Sequence, residues 1–506
     1  MPYGLQRPLY AIVKRARFIC AKLALCGVAI AALSICPRAY GDVGVILNES
    51  LDTSVARITG SGHSAVYFSR ICPDGPVKLR MCRAGEHGSV ISNYTSLGES
   101  PSFEWNIVPL DVYVYGVADA RNRPLVGTEK IKGLLEEKYR EEHLEPYCEG
   151  PSCVSSNKAE WKEMVGADIS RSMYVFVVET TLQQDQELIA KFNSMPNENH
   201  FNGFTRNCAD FTHDVINTYF PGATHRDYIN DFGMTSPKAI AHSFTRYALK
   251  HPGARFRVLH FAQVPGTIKR SSECRSGTEQ LYHSKKLLVP MALFADHELP
   301  VIAASYILTG RFNPERELEE HPSAEATEIE YEIRDAKSEK DAPLTQELKA
   351  ARGDERSRFL GTPQEWKQHR ADLDSMIDEA VRMEVIPDRA YLDRLFKYID
   401  DAGTPSTGKN GSVWMSLTDN DGKKDVGVSA NNILAQDSDA SLAYEILLAR
   451  VNRMLKSPKH SRETMPQLKD DWDLLQRARV RCLWSRVQST TAVVHDDKAG
   501  ATANKN

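Results

Sequence analysis

Two segments of the sequence carry a cysteine and a histidine in settings that suit a thiol nucleophile and its base. Cys208 lies in FTRNCADFTHDVIN, where a loop gives way to a predicted helix, and His63 lies in TGSGHSAVYFS, at the start of a predicted strand. A helix N-terminus supplies unpaired N–H groups and partial positive charge, which favour a thiolate over a thiol. A histidine can take the proton of the thiol and return it to a leaving group. The two segments together therefore predict nucleophilic attack by a cysteine.

The elements that must position these residues lie between 42 and about 265, where predicted strands and helices are mixed. Strand patterns occur in SAVYFS, PVKLRM, SVISNY, WNIVPLDVYVYGV, MYVFVVET and ARFRVLHFAQ. Helical patterns occur in KIKGLLEEKYREEH, KAEWKEMVGA, LQQDQELIAKFNS and the segment from Cys208 to Tyr219. The pattern predicts one α/β or α+β unit that carries the chemistry.

The order and spacing of GHSAVYFS and RNCADF resemble the circularly permuted branch of the papain-like hydrolases. That branch includes NlpC-type cell-wall peptidases and the lecithin retinol acyltransferase group, and in it the histidine strand precedes the cysteine helix, as here. The acyltransferase group also has an asparagine directly before its cysteine, which Asn207 matches. The resemblance covers 55–70 and 180–220, and 42–265 in outline. It implies an α+β fold, with an antiparallel sheet packed against the cysteine helix.

The same resemblance implies that Cys208 is the nucleophile and His63 the general base and acid. Such enzymes have a third polar group that orients the imidazole. The sequence leaves that group open among several residues: His87, Glu86, Asn106 and Ser89. The oxyanion is expected at backbone N–H groups where the Cys208 helix begins, beside Asn207.

Each of these residues also has a plainer interpretation. Cys208 can be a core or disulfide-bonded cysteine, and His63 can be a hydrogen-bonded core histidine. Asp210 is expected in the first turn of the helix, where its charge favours the helix dipole but raises the pKa of a neighbouring thiol. The pairing of the two segments, rather than either residue alone, favours the nucleophile interpretation.

The first 41 residues predict export. Arg7, Lys14 and Arg15 precede the apolar run LALCGVAIAALSIC, and small residues follow, as in a secretory signal peptide cleaved after about Gly41. The alternative is a retained membrane anchor. Cleavage would move the formal net charge from −4 to −10 by removing six basic residues. An acidic mature chain argues against a nucleic-acid partner.

Seven cysteines follow the predicted cleavage site, which is an odd number. In an oxidising compartment at least one thiol then stays unpaired. One pairing scheme joins Cys72 to Cys82, Cys148 to Cys153, and Cys274 to Cys482. That scheme leaves Cys208 free, although other connectivities are open.

The rest of the chain is predicted to form an apolar helical segment (266–314), a charged linker (315–360), a small, mainly helical domain with a hairpin (361–490) and a disordered tail (491–506). Within the first of these, 285–312 is the most apolar stretch after residue 41, and it predicts two short buried helices or contact with a membrane surface. No zinc motif, calcium loop or glycine-rich phosphate loop is found in the sequence, so no metal or other cofactor is expected.

The sequence therefore predicts an exported thiol hydrolase or acyltransferase that acts on an amide or ester bond of the cell envelope. A peptidoglycan peptide or a lipid would be the substrate, and the protein would be periplasmic or extracellular. The alternative, from another class, is a secreted binding or assembly protein that keeps the papain-like fold without its chemistry.

Overall fold

A six-stranded antiparallel sheet forms the centre of the fold, in the order β6-β5-β2-β1-β7-β8. Its strands are β1 (Gly41–Asn48), β2 (His63–Phe68), β5 (Ser89–Ser92), β6 (Asn106–Pro109), β7 (Met173–Thr180) and β8 (Arg257–Phe261), and a two-stranded ribbon is formed by β3 (Ile71–Pro73) and β4 (Leu79–Met81). The computed structural model describes residues 41–51, 62–93, 103–144, 160–198, 200–202, 205–231, 233–283, 304, 306–323, 363–419, 422–434, 440–456 and 465–502. Within them the chain is a mixed fold with antiparallel sheets, which agrees with the predicted α+β class.

Helices cover both faces of the sheet. Those from the first 320 residues are α1 (Leu110–Tyr115), α2 (Glu129–Tyr139), α3 (Ala167–Ser170), α4 (Leu182–Ser194), α5 (Cys208–Tyr219), α6 (Pro237–Lys250), α7 (Gly277–His283) and α8 (Pro314–Glu320). Side chains alternate along a strand, so Val66 and Phe68 pack beneath α5 and α6 while Ala65 and Tyr67 face the opposite core. This alternation places the cysteine helix directly against β2.

Strand β1, one of the two central strands of the sheet, was not among the predicted strands. It pairs with β2 on one side, with Asn48 opposite His63, and with β7 on the other, with Asn48 opposite Met173. Only the four residues PRAY separate β1 from the apolar N-terminal run, so the apolar residues of β1 were not recognised as a separate strand.

The segment WNIVPLDVYVYGV was predicted as one strand, and this prediction was wrong in part. Strand β6 ends at Pro109, and helix α1 takes up the remaining apolar residues until Gly116, whose positive φ of 73° ends the helix. The residues from Val112 to Tyr115 are all buried. A helix that is apolar on every side has no amphipathic period, so the pattern resembles that of a buried strand.

One of the three predicted disulfides is present. Cys72 and Cys82 are bonded across the β3–β4 ribbon. The predicted Cys274–Cys482 disulfide was wrong, since both thiols are free and their side chains belong to the cores on opposite faces of the sheet. Cys208 is also free. The predicted Cys148–Cys153 pair lies outside the described residues.

The C-terminal part packs on the sheet face opposite α5. It consists of helices α9 (Pro363–Arg382), α10 (Arg389–Ala402), α11 (Ala430–Leu434), α12 (Ala440–Lys456) and α13 (Met465–Thr502), with a three-stranded sheet of β9 (Thr404–Thr407), β10 (Val413–Asp419) and β11 (Gly422–Gly427). The predicted hairpin corresponds to β10 and β11. Its apolar residues join the core beneath α1 and α2, within the compact unit formed by 41–506. The boundaries given above for separate domains stay predictions.

Two further predictions concern the ends of these regions. Helix α13 continues through 491–502, where the composition predicted a disordered tail. The predicted signal peptide up to Tyr40, the charged linker from 324 to 360 and most of the apolar stretch 285–312 lie outside the described residues. The prediction of a linker from 315 was wrong at its start, because Pro314–Glu320 form helix α8, which packs against β8. None of the helices in the described part of the chain has the length and apolar composition of a membrane span.

A fully buried ion pair ties the C-terminal part together and joins it to the first part. The Nε of Arg450 on α12 lies 2.6 Å from Oδ2 of Asp471 on α13, and both side chains are almost inaccessible. Arg450 also donates to the backbone carbonyl of Leu125, which lies between α1 and α2. A guanidinium buried in this way depends on its carboxylate, because an unpaired buried charge is strongly destabilising.

We therefore expect Asp471→Ala to lower the free energy of unfolding by about 3–5 kcal/mol, measured by denaturant titration. The matched control is Lys456→Ala on the same helix α12. Lys456 pairs with Asp393 at 2.8 Å, but both side chains are exposed, so the expected loss is below about 1 kcal/mol. Equal losses in the two variants would contradict this account of the interface.

Candidate functional site

Helix α5 begins at Cys208 because the preceding residue caps it. Oδ1 of Asn207 accepts hydrogen bonds from the backbone N–H groups of Ala209 (2.8 Å) and Asp210 (3.1 Å). The Asp210 carboxylate in turn accepts from the N–H of Asn207 at 3.1 Å, which completes a capping box. The box fixes the first turn of the helix and with it the position of the thiol.

The thiol of Cys208 lies against the start of strand β2. The backbone N–H and the hydroxyl of Ser64, and the N–H of Ala209, lie close enough to the thiol to lower its pKa. The hydroxyl of Ser64 is itself held by Thr212, whose Oγ1 donates to it at 3.1 Å. Ser64 directly follows His63, and consecutive Cα atoms are about 3.8 Å apart. The thiol and the backbone of His63 therefore meet at the same end of β2.

His63 is buried and bonded to the neighbouring strand. It is 8 % exposed, and its Nε2 lies 2.7 Å from Oγ of Ser92, the last residue of β5. Ser92 is a functional candidate that the sequence reasoning missed. The signal was its place in SVISNY, a predicted strand that lies next to the histidine strand once the antiparallel order of the sheet is known.

Of the predicted candidates for the third polar group, Asn106 lies nearest to this pair. It stands opposite Ser92 in the β5–β6 register and is 2 % exposed. Both polar atoms of its side-chain amide are buried without a hydrogen-bond partner in the described part of the chain. Asn106 thus lies one strand beyond Ser92 and makes no hydrogen bond to the imidazole.

Two other candidates, Glu86 and His87, are engaged elsewhere. Nη1 and Nη2 of Arg80 each donate a hydrogen bond of 2.7 Å to the Glu86 carboxylate. This bidentate pair lowers the pKa of Glu86 to about 2. Nδ1 of His87 lies 2.9 Å from Oδ2 of Asp111. Both candidates line a cavity of about 990 Å³ that neither Cys208 nor His63 lines. Ser89, also considered, donates to the carbonyl of Ile71 at 2.5 Å.

Asp210 serves the structure around the thiol. Its Oδ1 accepts from Nη2 of Arg226 at 2.8 Å and from the hydroxyl of Thr235 at 2.5 Å. The side-chain amide of Asn207 donates to the carbonyl of Thr235 at 3.0 Å. These bonds fasten the 226–235 loop to the start of α5, and Arg226 partly compensates the charge that would otherwise disfavour a thiolate.

The electrostatic setting favours the neutral forms of both groups. Burial raises the pKa of the Cys208 thiol, and the charge of Asp210 adds to this, against the opposing hydrogen bonds from Ser64 and Ala209. Burial also lowers the pKa of His63 well below its ordinary value, and the positive charge of Arg171 lowers it further. At neutral pH the resting site therefore contains a thiol and an uncharged imidazole.

Neither proposed catalytic residue belongs to a group of three metal-ligating side chains in the described ranges. Two such groups are found there: Cys72, Cys82 and Glu86, and Glu317, Glu320 and His321. The sulfur atoms of the first group are joined in the disulfide. The chemistry available at Cys208 is accordingly that of a thiol; His63 precedes Ser64 on β2, and its imidazole is hydrogen-bonded to Ser92.

The raised pKa gives a pH-dependence that can be measured. Only the thiolate reacts with iodoacetamide, so a raised pKa moves the midpoint of the rate–pH curve upward. We expect the alkylation rate of Cys208 in the folded protein to rise with pH through a midpoint above that of an unperturbed cysteine, about 8.5. Free cysteine in the same buffers is the control, and peptide mapping identifies the labelled residue. A midpoint below that of free cysteine would indicate a thiolate–imidazolium pair instead.

Comparison of this chain with protein-family models, with curated proteins and with solved structures finds no match. The resemblance to the permuted papain-like hydrolases accordingly stays a prediction from the residue pattern.

Proposed function

We propose that this protein is an exported thiol hydrolase or acyltransferase with a permuted papain-like core, in which Cys208 is the nucleophile and His63 the general base and acid. One observation carries the proposal: Cys208 begins a capped helix that packs on β2, with its thiol beside Ser64, the residue directly after His63. The antiparallel sheet, the packing of α5 on β2 and the order of histidine strand before cysteine helix also support the permuted arrangement.

The contact with Ser92 assigns roles to the two imidazole nitrogens. If Nε2 carries the proton and donates to Oγ of Ser92, Nδ1 is the nitrogen that accepts the thiol proton. As the sulfur attacks an amide or ester carbonyl, the S–H proton passes to His63 and a tetrahedral intermediate forms. His63 then protonates the leaving amine or alcohol, which leaves a thioester on Cys208. Water or an acceptor alcohol, deprotonated by His63, resolves the thioester.

The oxyanion of that intermediate is expected at the start of α5. The first N–H groups of a helix have no partner within it, and Oδ1 of Asn207 takes those of Ala209 and Asp210. The backbone N–H of Cys208 is therefore the group of this turn that suits a developing negative charge. Asn207 contributes by capping the helix, since its side chain is already bonded at both ends.

Because both groups are neutral at rest, proton transfer accompanies attack instead of preceding it. Ser92 has no negative charge, so it orients the imidazole without stabilising an imidazolium. This differs from a triad with a carboxylate, in which the third group stabilises the charged histidine. Ser92 is thus a positioning residue in the proposed mechanism.

Exposed apolar side chains on two segments that are hydrogen-bonded to helix α7 favour a lipid over a peptidoglycan peptide as the substrate. Ile307 and Leu308, in the apolar stretch predicted to touch a membrane, are 57 % and 81 % exposed, and Tyr228 and Ile229 are 70 % and 51 % exposed. Large exposed apolar residues near one another are typical of interaction surfaces.

Hydrogen bonds tie both exposed pairs to the same helix. Asn230 accepts from the backbone N–H of Thr278 on α7 at 2.8 Å, and the hydroxyl of Tyr306 donates to Glu279 on α7. The loop with Tyr228 is also fastened to the start of α5 through Arg226. We infer that the four side chains face an acyl ester or amide held at a membrane surface.

The first test is hydrolysis of a soluble p-nitrophenyl acyl ester. Cys208→Ala should abolish turnover, and His63→Ala should lower kcat/KM by about 100-fold or more, because general-base catalysis contributes 10²–10⁴-fold. Ser92→Ala should cost about fivefold, the equivalent of one neutral hydrogen bond of about 1 kcal/mol. Ser92→Thr, which keeps the hydroxyl, should recover part of this loss.

The matched control is Cys482→Ser, which changes a free cysteine in the core on the opposite face of the sheet and should leave the rate unchanged. If no ester or amide substrate is turned over, and Cys208→Ala binds envelope lipids as well as the unchanged protein does, the non-catalytic binding function is the correct one.

The second test concerns the surface. We expect the double variant Ile307→Ser and Leu308→Ser to bind phosphatidylethanolamine–phosphatidylglycerol vesicles at least about tenfold more weakly. The reason is that burying each of these apolar side chains contributes a free energy of roughly 1.5–3 kcal/mol. Its hydrolysis of the soluble ester should not change. Leu249→Ser removes another exposed leucine (48 %), from α6, and serves as the control. Unchanged vesicle binding by the double variant, measured by sedimentation, would leave a peptide substrate favoured.

A further inference from the structure

Three metal-ligating side chains meet at the C-terminal end of helix α8, away from Cys208. Glu317, Glu320 and His321 each offer one ligand atom, and these atoms all lie within 4.8 Å of one another. Their spacing of three and four residues brings them to one side of the helix turn. Two carboxylates and an imidazole at these separations can reach a single ion.

Glu317 supplies a separate reason to expect a cation. It is 4 % exposed, and its Oε2 is buried without a hydrogen-bond partner in the described part of the chain. The other oxygen, Oε1, is held by Arg316 at 3.2 Å. Burying a carboxylate oxygen with no donor is costly, and a bound cation removes that cost.

Arg316 leaves room for such an ion. Its guanidinium lies on Oε1 of Glu317 and 3.8 Å from Oε1 of Glu320, and its side chain is 59 % exposed. The Oε2 atoms of the two glutamates are not the atoms that it contacts. An ion bound through these Oε2 atoms can therefore coexist with the arginine.

The backbone around the three residues is well fixed. Asn313 caps α8 by accepting from the N–H of Glu315 at 2.9 Å, and α8 packs against β8, an edge strand of the large sheet. Val258 of β8 donates to the carbonyl of His321 at 2.8 Å and accepts from the N–H of Ser323 at 3.1 Å. His321 also packs edge-on against Phe256. Ligands on so constrained a backbone need little reordering to bind an ion.

We propose that Glu317, Glu320 and His321 form a binding site for a divalent transition-metal ion, with Zn²⁺ as its best representative. An imidazole ligand suits Zn²⁺ and its neighbours, whereas Mg²⁺ and Ca²⁺ prefer oxygen ligands alone. Three protein ligands leave one position on the ion for water. The bound ion would hold residues 314–323 against β8, the edge strand of the large sheet. Its role is structural, and it stands independently of the proposed thiol chemistry.

The test is a titration of the untagged, chelator-treated protein with Zn²⁺, in which binding is measured by isothermal calorimetry. A parallel titration with Co²⁺ measures binding by the visible absorption of the bound ion. We expect one site, lost or weakened at least tenfold in His321→Ala and in Glu317→Gln. Glu319→Gln, on the same helix but outside the three residues, should bind as the unchanged protein does.

If Glu317→Gln folds poorly, His321→Ala still decides, because His321 is half-buried and its removal leaves no unpaired charge. Absence of stoichiometric Zn²⁺ binding would overturn the proposal, as would equal affinity in His321→Ala and Glu319→Gln. The proposal would also be overturned if Ca²⁺ bound with the same affinity as Zn²⁺ and His321→Ala left that affinity unchanged, because the ligands would then be carboxylates alone.

Discussion

The contact between the first turn of α5 and the first residues of β2 is the constraint on which the proposed chemistry depends. Asn207 and Asp210 fix where the helix begins, which places the thiol beside Ser64 at the start of the histidine strand. The same turn is tied to the 226–235 loop through Arg226 and Thr235. A shift of the helix start by one residue would rotate the thiol by about 100° and remove it from Ser64.

Burial makes this an uncharged site at rest, and that property links the fold to the mechanism. The same packing that holds His63 beside Ser92 also removes it from water, which lowers its pKa, and the charge of Arg171 adds to this effect. A buried thiol likewise loses the stabilisation that water gives a thiolate. In the proposed mechanism, the helix N-terminus and the N–H of Ser64 stabilise charge as it develops during attack, which is when this stabilisation assists the reaction.

The sequence predicted the elements with strong patterns and missed those without one. The strand MYVFVVET, predicted as a continuous apolar run of strand length, corresponds to β7, and LQQDQELIAKFNS, predicted from its helical apolar spacing, corresponds to α4. Strand β1 was missed because its apolar residues continue an apolar run, and α1 was taken for a strand because it is buried on every side. Periodicity reports burial on one face, so it fails where burial is uniform.

Prediction of the site was limited in the same way. The helix start at Cys208 was predicted, with Asp210 in its first turn, but the cap was not, since Asn207 was noted only as a match to the acyltransferase group. Ser92 was not predicted, because its contact with His63 depends on which strands are neighbours in the sheet. A serine is also too common a residue type to indicate a functional site by itself. Glu86 and His87 drew attention by residue type, but Arg80 and Asp111 already hold them at another cavity.

The central claim is that Cys208 attacks an acyl group with the help of His63. Its most direct test is mass spectrometry of the intact protein, quenched in acid within seconds of mixing with an activated acyl ester. The account predicts one acyl group, located by peptide mapping on Cys208, that forms rapidly in the unchanged protein and much more slowly in His63→Ala. Acylation at the same rate in both proteins, or acylation at another residue, would contradict it.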